Sequence, residues 1–401
     1  MKTYLASLLI LVLSLCPFLL AEDEPAPASL SAECDGESRA DLEKHQLELD
    51  RNVRVKWGDL GLKCGWLLVQ LADDDRTPVS LVARGFAKEA EEREKATGRI
   101  EADWGGYSFR CRELTLSFAS GQFVPASVEA RSDVWMKLAE QGYFLHASAV
   151  DLKRDAETGA ITVDISSDAA LPRAEVGGPG FVASETEGSL AVNGKSVLHT
   201  AQNIEIIYEL LAGDTILPAD IAKASNGKLT VTAGRAKLDS SAGSYEFSQG
   251  TVLSLGELRL EGPTAVVECV AGTTQPKKLT VAGQTEADAK AARLIYKGLS
   301  VNAQKLTAEL EDRKTASFTA DGAVRIVVLD SDDQTVTAQC ARAEYREDSV
   351  TLTAAEGGKV VVTYPSQGIR ITETRGVFTR GPSNRWSHTG YESKTEYIPK
   401  E

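Results

Sequence analysis

The chain has 401 residues, a formal net charge of −14 and a pI near 5.0, with 42% apolar but only 6% aromatic residues. That length can bury a sizeable core, and an acidic surface repels phosphate backbones, which argues against nucleic-acid binding. Small and β-branched residues in place of aromatics suit thin, stacked β-layers better than a bulky globular core.

Residues 1–21 read MKTYLASLLILVLSLCPFLLA. One Lys precedes an uncharged run and acidic residues follow, the pattern of a signal peptide that exports the chain, with Ala21 before the cut. A run of this length also fits a retained inner-membrane anchor, so that alternative stays open. Leu15 stands where a lipoprotein cut before Cys16 needs a small residue. Residues 22–41 are acidic, contain Pro and Ala and lack a period, and read as a flexible lead-in.

From Leu47 the pattern turns to period two. Residues 47–71 predict two strands around a turn at Gly58-Asp59. Residues 85–98, rich in Ala and charge, predict a short exposed helix or a mobile insertion. Strands resume at 107–118, at 128–152 with a turn at Gln141-Gly142, and at 161–165. Pro and Gly crowd residues 172–180, so 172–187 reads as a linker or long loop between a first array (42–171) and a second (188–380). Strands continue from 190 to 208 and 210–226 is irregular. Residues 229–269 alternate most clearly, and strands follow to Tyr364, with 286–296 also read as strand. Residues 381–401 read as a disordered tail.

One small unit recurs. A small residue stands at Cys64, Cys111, Ala147, Ala201, Ala233, Gly262, Ala289, Ala303 and Cys340, and the residues three and five further on are apolar each time. The step from a spacing of two to one of three implies an extra residue, a bulge that re-aims the strand while its apolar face stays inward. One unit buries too little to fold alone, whereas stacked units share a seam in which each Leu or Val contributes about 1.5–3 kcal/mol.

Five cysteines follow the signal: Cys34, Cys64, Cys111, Cys269 and Cys340. An odd, widely spaced set without C-x-x-C gives neither a disulfide framework nor a zinc motif. They read as small buried residues, with a Cys64–Cys111 bridge as the alternative. None of His45, His146, His199 and His388 has metal-ligand spacing, and His146 and His199 read as surface or rim positions. The acidic runs Asp73–Asp75 and Asp330–Asp333 read as solvated turns. No catalytic or cofactor motif occurs, so the reading is a non-enzyme without cofactor.

Asp50–Leu71, Ala233–Val267 and Cys340–Val362 resemble repeats of the OstA-like family, which includes periplasmic lipopolysaccharide-transport proteins of the LptA and LptC type and the soluble part of LptD. The matching pattern is Ala-x-Arg-Ala, a short strand, a turn, an aliphatic strand, a Gly turn and another strand. The resemblance implies an all-β fold: a stacked antiparallel β-jellyroll, or β-taco, repeat array, here as two arrays, with an open apolar groove. It implies a bridge or shuttle in lipopolysaccharide transport during outer-membrane assembly, placed in the periplasm. Its partners would be lipopolysaccharide or a similar lipid and other OstA-like proteins joined by edge-strand pairing, with homo-oligomers also open.

Inward residues that would line the groove are Val53, Val55, Leu62, Leu67, Val69, Leu114, Leu116, Val231, Ala236, Leu238, Leu258, Leu260, Ala265, Val267, Val301, Leu306, Ala343 and Tyr345. No membrane barrel follows Gly381, which favours a bridge or shuttle over an insertion pore. Two other classes compete: a ligand-free, adhesin-like cell-envelope scaffold and a β-helix enzyme acting on polysaccharide. The interior discriminates, since a scaffold needs a filled core and a carrier an open groove.

Overall fold

The computed structural model describes residues 30–74, 77–91, 98–119, 124–209, 228–255, 258–270, 276–283, 291–296, 298–311, 315–329, 334–346, 348–381 and 385–398. The expectations on the signal, Cys16, Asp75, residues 210–226, Ala289 and Asp330–Asp333 lie outside them. Strands in chain order begin with β1 (Leu30–Glu33), β2 (Ser38–Asp41), β3 (Gln46–Trp57), β4 (Leu60–Leu71), β5 (Pro78–Arg84), β6 (Ile100–Trp104), β7 (Tyr107–Cys111), β8 (Glu113–Phe118), β9 (Pro125–Leu138) and β10 (Tyr143–Arg154). The middle carries β11 (Ile161–Ser166), β12 (Ala174–Gly178), β13 (Phe181–Glu185), β14 (Glu187–Asn193), β15 (Ser196–Glu209), β16 (Lys228–Asp239), β17 (Ser244–Leu255), β18 (Leu258–Cys269), β19 (Pro276–Ala282) and β20 (Ala292–Tyr296). The last are β21 (Leu299–Ala303), β22 (Lys305–Glu311), β23 (Thr315–Leu329), β24 (Thr335–Arg346), β25 (Ser349–Thr353), β26 (Val360–Tyr364), β27 (Ile369–Glu373), β28 (Arg375–Arg380), β29 (Trp386–Tyr391) and β30 (Lys394–Tyr397). All pairings are antiparallel, and the all-β expectation holds.

The pairings form two rows. Long strands such as β3, β4, β9, β10, β15 to β18, β23 and β24 belong to both, one half in each. Between them the chain alternates short strands. One set (β5, β8, β11, β14, β19, β22, β25, β28, β29) extends a first sheet. The other (β6, β7, β12, β13, β20, β21, β26, β27, β30) extends a second. The two sheets are joined along one side by the bends of the long strands and face each other. Trp57, at the outer end of β3 in the second sheet, packs edge-on against Phe118, at the outer end of β8 in the first, at 4.8 Å.

The bends are the bulges expected from the repeat spacing. Register shifts fall between Asp50 and Val53, Thr232 and Arg235, Ser248 and Thr251, and Asp321 and Val324. Positive-φ residues mark them: Arg51 and Asn52, Ser132 and Asp133, Gln249 and Gly250, Gly322 and Ala323. At each bulge one strand carries one residue more than its partner, and that extra residue re-aims the long strand from one sheet to the other. Cys64 and Cys340 lie opposite Val53 and Val324 at these corners. A β-carbon on Gly65 would sit 2.4 Å from the Phe86 carbonyl carbon. Gly65→Ala is therefore expected to cost about 1–3 kcal/mol, as overpacking against backbone does, and a denaturant midpoint equal to that of the parent chain would refute this.

Three expectations are corrected. Residues 172–187 are not a linker: they carry β12 and β13, whose bonds to β10 and β15 carry the second sheet through this region. The glycines that suggested a loop are there because rings lie on the backbone. A β-carbon on Gly177 would meet the Phe144 ring, and one on Gly178 the Phe181 ring. The tail 381–401 carries β29 and β30, held by Trp386, which is 2% exposed. The lead-in carries β1 and β2 from Leu30 onward. Residues 85–91 hold no helix, while 92–97 lie outside the described residues.

Candidate functional site

Each inward residue named from the sequence is buried and joins one apolar cluster between the sheets. Val53, Val55 and Leu62 face inward from the second sheet, and Leu67, Val69, Leu114 and Leu116 from the first. The same division places Val231, Leu258, Leu260 and Val301 in the second sheet, with Ala236, Leu238, Ala265, Val267, Leu306, Ala343 and Tyr345 in the first. The seam runs the length of the array. Near its C-terminal third, Leu258, Val301, Leu306, Phe318, Ala343 and Tyr345 border a dry space of about 30 Å3, room for roughly one water. Along these residues the interior is packed rather than open.

On the side opposite the bends, strand ends of the two sheets form two lips. Toward the N-terminal part the lips leave a cleft of about 460 Å3. Leu60, Trp104 and Tyr107 line it from the second sheet, Leu152, Ile161 and Val192 from the first, and Asp59, Glu140 and Arg154 stand at its rim. Burial, then the Glu140 carboxylate, raise the Tyr107 phenol above its usual value. Gln141 Nε2 donates across the cleft to the Gly194 carbonyl at 2.6 Å. Elsewhere rings bridge the lips: Tyr208 stacks on Tyr245 at 6.1 Å, and Arg380 donates to the Tyr296 hydroxyl at 3.2 Å. A larger hollow of about 800 Å3 lies on the outer face of the first sheet, bordered by Asp164, Glu187, Arg235, Lys237 and Glu246.

Two buried acid–imidazole pairs were missed in the sequence. His199 Nε2 is 2.7 Å from Glu185 Oε2 with both side chains fully buried, which overturns the rim expectation for His199. His388 Nε2 is 2.9 Å from Glu373 Oε1, with side chains 4% and 0% exposed. Both acids sit at a corner between short strands, β13 to β14 and β27 to β28. Gly188 and Gly376 leave the room, since a β-carbon on either would collide with the carboxylate. The signal was present as a repeated string, Glu-Thr-x-Gly followed by His-Thr, with acid and imidazole 14 and 15 residues apart. Burial raises the Glu373 carboxyl, opposed by the His388 hydrogen bond. His146 is nearer the surface, bonded to Asp133 at 2.8 Å and stacked on Trp135.

The five cysteines are free, so the Cys64–Cys111 bridge is not formed. Burial pushes the Cys64 and Cys111 thiols up to about 12, which keeps them protonated and poor nucleophiles. Among the described residues no three His, Cys, Asp or Glu side chains converge as metal ligands, and no helix is long and apolar enough to cross a membrane.

No family model matches the chain, and no curated protein matches it. Among solved structures, it is similar to the crystal structure of LptH, the LptA homologous periplasmic component of the lipopolysaccharide transport device from Pseudomonas aeruginosa. The similarity has 14% identity and a TM-score of 0.18, and covers 41% of this chain and 96% of that one.

Proposed function

We propose that this protein is a non-catalytic periplasmic carrier of lipopolysaccharide or a similar amphiphile, working as a bridge or shuttle in outer-membrane assembly. The observation that carries the reading is the unbroken apolar seam between two sheets that are joined on one side only, with a cleft beside Trp104 and Ile161. Acyl chains would enter between the lips, each buried methylene contributing about 0.8 kcal/mol, while the sugars stay in water. The packed state is then the empty one, and loading requires the sheets to spread. Spreading would part the apolar cluster as well as the ring pairs and hydrogen bonds across the lips, while each sheet is held by continuous ladders. Transport partners would pair with the end strands β1 and β2 or β29 and β30, each bonded on one side only among the described residues.

The filled interior along Leu258 to Val350 supports the competing scaffold reading, so the test must separate the two. A photo-crosslinking residue at Leu260, Leu306 or Ile161 is expected to capture lipopolysaccharide in cells, and one at outward Arg259 is not. Mass spectrometry of the purified protein should find the same lipid. Capture only at Arg259, or protein free of lipid, would establish the scaffold.

A further inference from the structure

Near the C-terminal end of the lips, a guanidinium and two phenols gather around a carboxylate. Arg380 closes β28 and Asp348 stands in the turn from β24 to β25, both on the lip of the first sheet. Tyr296 closes β20 on the lip of the second. The Arg380 guanidinium is ion-paired with Asp348, donates to the Tyr296 hydroxyl and lies over the Tyr296 ring at 5.7 Å. The Tyr345 hydroxyl donates to Asp348 Oδ1 at 3.2 Å. Tyr296 and Tyr345 also border the dry space among Leu258, Val301 and Leu306. Donors for an oxyanion and the apolar seam therefore meet at the same two rings.

The carboxylate and the groups that hold it differ in their access to water. The Arg380 side chain is 11% exposed and both tyrosines are buried, whereas the Asp348 side chain is 51% exposed. A guanidinium so far out of water needs an anion beside it, and Asp348 supplies one from the solvent side. The Asp348 backbone is fixed independently of its carboxylate, because its carbonyl accepts from the Arg380 backbone N–H at 2.8 Å. Its side chain can turn out to water without moving the turn. Asp348 therefore stands where the carboxylate of a ligand would sit.

We propose that this cage is a binding site for the carboxylate head of a fatty acid, held in this structure by the chain's own Asp348. The incoming carboxylate takes the guanidinium and the Tyr345 hydroxyl, and Asp348 turns out to water. Guanidinium and carboxylate match as planar, charge-assisted partners. The tail follows the two rings into the seam, which selects an acyl carboxylate over a small soluble acid. The inference rests on the carrier reading in one respect, that the seam admits an acyl chain.

The test is calorimetric titration with laurate and with its neutral counterpart monolaurin. Asp348→Gly removes the competing carboxylate, and glycine adopts the φ of 63° found there without strain. This variant is expected to bind laurate about tenfold more tightly than the parent chain, and Arg380→Gln and Tyr345→Phe each about tenfold more weakly. Monolaurin should be indifferent to all three. Circular dichroism checks the fold, and Tyr345→Phe carries the test if Arg380→Gln unfolds. A clasp that only ties the lips would loosen alike in Asp348→Gly and Tyr345→Phe, so laurate affinity moving in one direction in both overturns the proposal. So does monolaurin following laurate. Binding of both amphiphiles that ignores every variant overturns this site and leaves the carrier reading standing. Binding of neither overturns both.

Discussion

Replacing His199 with Leu is expected to lower the free energy of unfolding by about 3–5 kcal/mol, because it leaves the Glu185 carboxylate buried without its partner. The carboxylate cannot swing out to water, since it sits at the corner between β13 and β14 with both side chains fully buried. The companion variant replaces both members, Glu185→Leu with His199→Leu, and is expected to recover most of the loss, because removing both polar side chains removes the desolvation cost as well. Urea denaturation of the two variants decides it. A single variant within about 0.5 kcal/mol of the parent would show that the pair contributes nothing beyond a surface contact.

The twin pair responds to pH with a definite sign. Burial raises the Glu373 carboxyl above its unfolded value, so the folded chain holds that proton more tightly. Stability linked to this group is therefore full below the unfolded value and lost as pH rises through the folded one. Glu373→Gln should remove that slope. A denaturation midpoint whose pH dependence is the same with and without Glu373 would refute the assignment.

Phe247→Ala is expected to cost about 3–5 kcal/mol and to divide unfolding into two steps. Phe247 is buried on β17, and β15 to β18 are consecutive long strands that each belong to both sheets. In a stacked array each strand contacts only its neighbours, so cooperativity passes through the weakest interface. A cavity at this junction uncouples the N-terminal strands from the C-terminal ones, and near- and far-ultraviolet signals should then lose their common midpoint. A single coincident transition in the variant would show that coupling between the ends does not run through β17.

Much of the fold was legible because strand burial has a period of two and needs no partner to be visible. The small residues at Cys64, Ala233 and Cys340, each followed by apolar residues three and five on, marked the corners before any corner was seen. Composition misled where one residue type serves two purposes. Gly177 and Gly178 read as loop because glycine breaks strands, yet here it makes room for the Phe144 and Phe181 rings. The Glu185 and His199 pair was invisible to a rule that places charge at the surface, although the string that encodes it occurs twice.

By itself the sequence determined that the chain is all-β, where the strands bend, and which face of each strand is apolar. All of these follow from local spacing. Only the tertiary structure decided that the ladder runs through 172–187, that the seam is packed over most of its length with a cleft beside Leu60, Trp104 and Ile161, and that Glu185 and Glu373 are buried beside imidazoles. Those outcomes depend on the separation of two sheets and on which side chains meet across it. Distances of that kind are set by packing between residues far apart in the chain, and spacing along one strand carries no trace of them.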